Sequence, residues 1–332
     1  MLVLPDGQVF GTIGGGCGEA EVSTAALNAL DTQAPTQYLV NMTNDMAEDE
    51  GMVCGGTMSV YIDILSTGIS GDKQLLLAYL HSITAGEEPI LITVTKSANP
   101  DKIPPGGKLV LTSGGKLLGT LGDEQVNQAA QQWAEQVRLE GKTLLINLPS
   151  GDIQLFLEPA PIPVDLLILG GGHIALPLAT MANLLGYQVT VVDDRPAFAN
   201  RSRFPYAKEV ICNDFGRAVQ QLAVSPKTFV VIVTRGHRHD KVCLQGLITR
   251  PTCYIGMIGS RRRVKALIKE LEAEGIAPEY LQRVLSPIGL DIAAETPEEI
   301  AVGILAELIN VHRGGHAQSL SLQKVGDNQC AK

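Results

Sequence analysis

The stretch Asp165–Asp194, DLLILGGGHIALPLATMANLLGYQVTVVDD, decides how this chain is read. Leu166–Leu169 is a short apolar run of the kind carried by a parallel strand covered on both faces. The turn behind it, Gly170-Gly171-Gly172-His173-Ile174-Ala175, fits the pattern G-x-G-x-x-A. Gly170 permits a tight turn, Gly172 removes the side chain that would block a pyrophosphate, and Ala175 lets a helix pack close to the strand. Unpaired N–H groups at the start of that helix then face the phosphates. Pro177 is tolerable if the helix begins near Ile174, because it then falls among the first four N–H groups, which have no partner inside a helix. Val189–Val192 reads as the second strand, and Asp193 lies 23 residues after Gly170, close to the spacing expected of an acid that takes a ribose hydroxyl. Strand, glycine turn, helix, strand and acid together predict a Rossmann-type dinucleotide-binding unit, with contacts from Gly170, Gly172, His173, Ile174 and Asp193.

Downstream, strands and helices keep alternating. Strands are expected at Glu209–Cys212, Phe229–Thr234 and Cys253–Ile258, with helices near Phe215–Ala223, Lys241–Ile248 and Ser260–Gly275. Such alternation predicts a parallel doubly wound sheet with its ligand crevice at the carboxyl ends of the strands. Ser260 reads as a helix N-cap, and Thr296-Pro297-Glu298-Glu299 opens the last helix with a cap, a first-turn proline and two acids. Upstream, Glu158–Val164, EPAPIPV, has three prolines in seven residues and marks a linker. The expected architecture is therefore α/β: a Rossmann-type doubly wound domain over residues 164–332 and a smaller mixed α+β domain over residues 1–158.

The N-terminal half carries a weak internal repeat. Residues 1–14, MLVLPDGQVFGTIG, align with residues 108–122, KLVLTSGGKLLGTLG, and a helix-like stretch follows each copy. The first copy adds Gly15, Gly16 and Cys17 before that stretch, whereas the second goes directly to Asp123 and Glu124. A strand at Pro89–Thr95 and a Pro/Gly loop at Pro104–Gly107 precede the second copy only. This asymmetry predicts that the chain begins inside a structural unit with one strand and a loop missing before Met1, through either a misassigned start codon or a divergent short form. Thr57–Leu65, rich in β-branched residues, reads as a strand between the copies.

Composition narrows the function classes. The 332 residues carry a net charge of −9 and only 4% aromatic residues, which argues against nucleic acid as a partner because both a basic footprint and stacking rings are lacking. No apolar run approaches the roughly 20 residues that span a bilayer, and no basic segment with an apolar core opens the chain, so a cytoplasmic protein is expected. Cys17, Cys54, Cys212, Cys243, Cys253 and Cys330 are scattered without a C-x-x-C pair, so neither a zinc ribbon nor a disulfide framework is indicated.

Four constellations fall at expected strand ends or glycine loops. Gly14-Gly15-Gly16-Cys17-Gly18-Glu19 clears side chains from the backbone and can present several N–H groups to an anion. Cys54-Gly55-Gly56 again sets a cysteine beside flexible glycines, and each cysteine reads either as a small buried hydrophobe or as a ligand thiolate or sulfur carrier. Thr234-Arg235-Gly236-His237-Arg238-His239-Asp240 is a titratable cluster where substrate-facing groups normally sit; its other reading is a solvated basic loop. Gly256–Arg263 runs a strand into a helix start bearing three arginines, and Gly259, Ser260 and Arg261 suit a phosphate there, although arginines in a first turn oppose the helix dipole. Cys17, Cys54, His237 and His239 are the candidates for chemistry.

Taken together, GTIGGGCGEAEV (11–22), MVCGG (52–56), LILGGGHIALPLA (167–179), VTVVDDRPAFA (189–199), YIGMIGSRRR (254–263) and SPIGLDIAAETPEEIA (286–301) resemble the XdhC/CoxI family of xanthine dehydrogenase accessory proteins. The resemblance implies a cytoplasmic chaperone, dimeric by default. Such a protein binds molybdenum cofactor (molybdopterin), supports exchange of a terminal oxo ligand for sulfur with a cysteine desulfurase, and delivers the product to a xanthine-dehydrogenase-type molybdenum hydroxylase. It also implies that Cys17 or Cys54 contacts the cofactor or its sulfur, while the Rossmann half holds the cofactor's phosphate, NAD(P) or another nucleotide. The alternative is an NAD(P)-dependent oxidoreductase for a small substrate, with His237 or His239 as proton donor and Asp193 selecting NAD over NADP.

Overall fold

The computed structural model describes residues 1–14, 17–42, 56–65, 70–149, 151–161 and 163–318. The chain divides into two compact units, Met1–Ile162 and Pro163–Lys332, with the break inside the proline-rich segment.

The first unit repeats one pattern. Strands β1 (Leu2–Val3) and β2 (Val9–Phe10) form a hairpin, helix α1 (Cys17–Thr32) follows, and β3 (Thr36–Met42) pairs antiparallel with β4 (Gly56–Ile62). After α2 (Ser70–Thr84) and β5 (Ile90–Ser97), the pattern recurs: the hairpin β6 (Lys108–Leu111) and β7 (Leu117–Gly119), helix α3 (Glu124–Glu140), then β8 (Leu144–Asn147) and β9 (Ile153–Pro159). In the second copy β5 lies between the two hairpins and joins them into the five-stranded order β7-β6-β5-β9-β8. Among the described residues the first copy has no counterpart of β5, and its hairpins remain separate two-stranded sheets.

The second copy is the better sealed. Asp123 caps α3 by accepting from the N–H groups of Gln125 and Val126, and the helix ends at Gly141 in the left-handed region. Val126, Ala130, Ala134 and Val137 recur at helical spacing and bury their stripe against Ile92, Val94, Leu109, Leu155 and Leu157. A buried cation ties the copies together: Lys108 Nζ on β6 donates to Gly106 O at 2.8 Å and pairs with Asp63, just past β4, at 2.7 Å.

The second unit is a single parallel sheet. Its elements are β10 (Asp165–Leu169), α4 (Ala175–Leu184), β11 (Gln188–Asp193), β12 (Glu209–Cys212), α5 (Phe215–Gln221), β13 (Phe229–Ile232), α6 (His237–Leu247), β14 (Tyr254–Met257), α7 (Arg261–Ala273), α8 (Pro278–Leu281), β15 (Val284–Leu285) and α9 (Pro297–Arg313). The strands order as β12-β11-β10-β13-β14-β15, which is 3-2-1-4-5-6 counted from β10, the order of a Rossmann sheet. Alternate residues feed two cores. Leu166, Ile168, Phe229 and Val231 pack against α4 and α9, while Leu167, Leu169, Val230 and Ile232 pack against α5, α6 and α7. Burial on both faces is why these strands read as unbroken apolar runs. Thr296 and Glu299 close a capping box at the start of α9, with Pro297 in its first turn. Among the described residues no helix is long and apolar enough to cross a membrane.

Candidate cofactor site

The sheet reverses its direction of growth between β10 and β13, which opens a crevice at their carboxyl ends. The glycine turn occupies that point, and each glycine meets a different constraint. Gly170 donates its N–H to Val192 O at 2.7 Å, has φ +112°, and would drive a Cβ to 2.5 Å from Val233 O. Gly171 donates to Asp193 Oδ2 at 2.8 Å, and its Cβ would lie 2.6 Å from Phe198 O. A Cβ on Gly172 would meet nothing within 4 Å, so the turn is packed at its first two positions and open at the third. Pro177 is the third residue of α4, where its missing N–H leaves no helical bond unmade, and Ala175 is fully buried against the sheet. His173 is exposed and Ile174 caps α4 without a side-chain bond. Among the described residues the N–H groups of Gly172, His173 and Ile174, which lead into α4, find no acceptor.

Asp193 ends β11 as the spacing predicts, but its carboxylate is occupied. Oδ1 accepts from the N–H and Nε of Arg195 at 3.0 and 2.8 Å, and Oδ2 accepts from Arg195 Nη2 at 2.9 Å as well as from Gly171. Burial pushes this carboxyl up, but the hydrogen bonds of Arg195 and Gly171 outweigh it and hold the group below the usual carboxylate range. Arg195 in turn lies over the Phe198 ring at 3.7 Å. Arg203, which sequence reasoning missed, donates Nε to Gly171 O at 3.3 Å and Nη2 to Gly172 O at 3.2 Å. The turn is thus gripped from both sides, its N–H by an acid and its carbonyls by a guanidinium. The motif's spacing finds Asp193 but not Arg203, which lies 31 residues from Gly172 in the chain.

On the other side of the crevice, Thr234 Oγ1 donates to Asp240, a buried acid that also pairs with Arg263 Nη2 at 2.7 Å. This triangle ties the end of β13 to the starts of α6 and α7. It commits one of the three arginines at 261–263 to structure rather than to a phosphate. Asp240→Ala should lower unfolding stability by about 1–2 kcal/mol, because the partly exposed Arg263 guanidinium loses a buried acceptor while the Thr234 hydroxyl keeps only Gly236 O at 3.2 Å. Denaturant midpoints check this, and a change below about 0.5 kcal/mol would show the triangle to be dispensable. His237 opens α6, and the His239 ring sits 5.1 Å from that of Phe215, so His239 is packed against that ring. Gly259 has φ +156°, Ser260 Oγ accepts from Arg263 N as an N-cap, and Arg261 lines a hollow of about 340 Å³ with Lys265, Lys269 and Ser286. Gly172, Thr234 and Ser260 therefore follow β10, β13 and β14, three neighbouring strands, along one edge of the sheet.

In the first unit, Gly14 has φ +134° and donates its N–H to Thr12 Oγ1 at 3.0 Å, and Cys17 is the first residue of α1. Gly15, Gly16, Cys54 and Gly55 lie outside the described residues. The two repeat copies diverge here. A Cβ on Gly122 would collide with Lys102 O, whereas among the described residues one on Gly14 would meet nothing within 4 Å. Cys212 and Cys253 are exposed, and burial pushes the Cys243 thiol up. Among the described residues no cluster of His, Cys, Asp and Glu is placed to hold a metal ion.

Comparison with known proteins follows the same division. The XdhC Rossmann domain family matches residues 166–308, and the XdhC and CoxI family matches residues 1–41 and 82–148. An Escherichia coli K12 protein, YqeB, described as uncharacterized, is 26% identical over 312 residues; they cover 94% of this chain, which spans 40% of that relative's length. A Bacillus subtilis 168 protein, described as a probable subunit of xanthine dehydrogenase, is 27% identical over 317 residues, covering 94% of this chain and 87% of its own. The crystal structure of a Bacillus halodurans protein described as a xanthine dehydrogenase shares the fold, with a TM-score of 0.74 at 24% identity over 96% of this chain and 87% of that one. With a Rossmann sheet matched in one unit and the glycine-cysteine segment matched in the other, the chain belongs to the XdhC/CoxI family.

Proposed function

We propose that this chain is an accessory factor for a xanthine-dehydrogenase-type molybdenum hydroxylase, acting as a dimeric chaperone that holds molybdenum cofactor while a cysteine desulfurase supplies sulfur. The observation that carries the reading is the turn at Gly170–Ile174, with open space at Gly172 and unpaired N–H groups beside it. Family membership and the relatives described as xanthine dehydrogenase proteins support the partner. The residues fit the phosphate of a pterin cofactor: a side-chain-free cradle at Gly172 and a helix N-terminus facing it. Gly172, His173 and Ile174 would hold that phosphate, with Gly259, Ser260 and Arg261 along the same sheet edge. The cofactor would supply a molybdenum centre at which a terminal oxo ligand is exchanged for sulfur. The cysteines of the first unit, Cys17 at the start of α1 and Cys54, would contact that centre or its sulfur. The same crevice suits a nucleotide such as NAD(P), as the strand order and glycine turn favour.

The test is direct. Protein incubated with molybdenum cofactor and passed through gel filtration should retain molybdenum, and Cys17→Ala and Cys54→Ala should each lower the retained amount severalfold. Unchanged retention in both variants removes the cysteine assignment, and no retention by the natural protein removes the carrier reading. Sustained NADH consumption with a small carbonyl substrate would instead favour the oxidoreductase.

A further inference from the structure

Asp193, the acid that the spacing rule selects, has no acceptor to spare: Arg195 and Gly171 fill both of its oxygens. The next residue is in the opposite condition. Asp194 Oδ2 accepts from Arg235 Nη2 at 3.1 Å, while Asp194 Oδ1 is buried with no hydrogen-bond donor among the described residues and forms a long ion pair with Arg195 Nε at 3.8 Å. A buried carboxylate oxygen with a cation 3.8 Å away but no hydrogen-bond donor is only partly compensated, and it marks a place where a donor is missing. Asp194 follows β11 and Arg235 follows β13, so their pair bridges the two strands that flank β10, at the edge that carries the glycine turn. Arg235 is half exposed, and an ion pair of that kind contributes little, so its partner is easily exchanged.

We infer that Asp194, not Asp193, is the carboxylate that receives the ribose hydroxyls of a nucleotide in this crevice, uncovered when Arg235 exchanges it for the ligand's phosphate. The inference rests on the nucleotide reading given above. A phosphate seated beside Gly172 offers Arg235 a stronger, bidentate acceptor. Asp194 then loses its hydrogen-bonded cation, keeps only Arg195 at 3.8 Å, and takes hydroxyl donors in place of Arg235. The ligand class follows from charge. A 2′-phosphate would bring a second anion against Asp194, and Arg195, the cation that would offset it, is held by Asp193 and the Phe198 ring. The crevice therefore selects a nucleotide whose ribose hydroxyls are both free.

Calorimetric titration of the full chain with NAD⁺ and NADP⁺ as probes tests this. The natural protein should bind NAD⁺ about tenfold or more tightly than NADP⁺, and Asp194→Ala should lower NAD⁺ affinity by a similar factor and collapse the ratio without moving the thermal midpoint. Arg235→Ala should weaken both probes alike. Equal affinity of the natural protein for the two probes overturns the inference. So does unchanged NAD⁺ binding in Asp194→Ala while Gly172→Val abolishes it, a result that leaves the nucleotide reading intact. Binding of neither probe to the natural protein overturns both.

Discussion

Replacing Gly170 by alanine is expected to destabilise the second unit by about 3–5 kcal/mol, because a steric clash and a forbidden backbone conformation fall on one atom. The new methyl would lie 2.5 Å from Val233 O, 2.7 Å from Val233 C and 2.9 Å from Thr234 N, all backbone atoms that cannot swing aside. The residue also sits at φ +112°, a region that side-chain-bearing residues rarely adopt. Relief requires β10 and β13 to separate at the centre of the sheet. Gly172→Ala is the matched control: its methyl meets nothing, so stability should hold within about 1 kcal/mol while phosphate-ligand affinity falls. Urea titration followed by far-ultraviolet ellipticity measures both, since the single tryptophan, Trp133, lies in the other unit. A Gly170→Ala protein within about 1 kcal/mol of the natural one would mean that the turn tolerates a side chain after all.

Asp193→Asn should cost about 2–4 kcal/mol at neutral pH. The carboxylate is almost wholly buried and satisfies Arg195 twice through its side chain and Gly171 once through its backbone. An amide presents donors to at least one of these donors and leaves Arg195 without its countercharge. The pH dependence has a fixed sign. The folded carboxyl is held below its ordinary value, so the unfolded chain binds the extra proton, and the stabilisation is present above about pH 4. It disappears as the pH falls from there through the folded value. The stability gap between natural and variant proteins should therefore be full at pH 7 and narrow on acidification below about pH 4. A gap that stays constant down to pH 2 would mean that the charge contributes nothing and that shape alone holds the turn.

The parts of this molecule that obey short-range rules were legible in the sequence. The G-x-G-x-x-A turn, the placement of Pro177 in a first turn, the capping of α7 by Ser260 and the sheet class all depend on residues within a few positions of one another or on the alternation of apolar runs. The repeat in the first unit was legible as well, because each copy keeps its own hairpin and helix. What the sequence hides is which charged groups are already spent. Asp193 stands where a ribose acid stands, yet its neighbour Arg195 and the Gly171 N–H consume it. Three consecutive arginines at 261–263 look alike in the sequence, but the turn of α7 brings Arg263 to Asp240, 23 residues away. The Arg263 pairing is set by tertiary packing and no local spacing encodes it, whereas Arg195 stands only two residues from Asp193 and the sequence leaves open merely whether the two turn toward each other.

The anchoring of Gly170 also has a consequence for the order in which the molecule assembles. Its turn is wedged between Val192 O on β11 and the Val233 carbonyl beyond β13, a strand that begins nearly sixty residues after β10 ends. Parallel pairing across such a separation comes late, because a long loop must close before any contact repays it. A chain that has formed only β10, α4 and β11 has the glycines but not the wall that shapes them. The shaped turn is therefore a property of the finished sheet, and a chain that stops short of β13 carries the glycines without the wall that fixes their geometry.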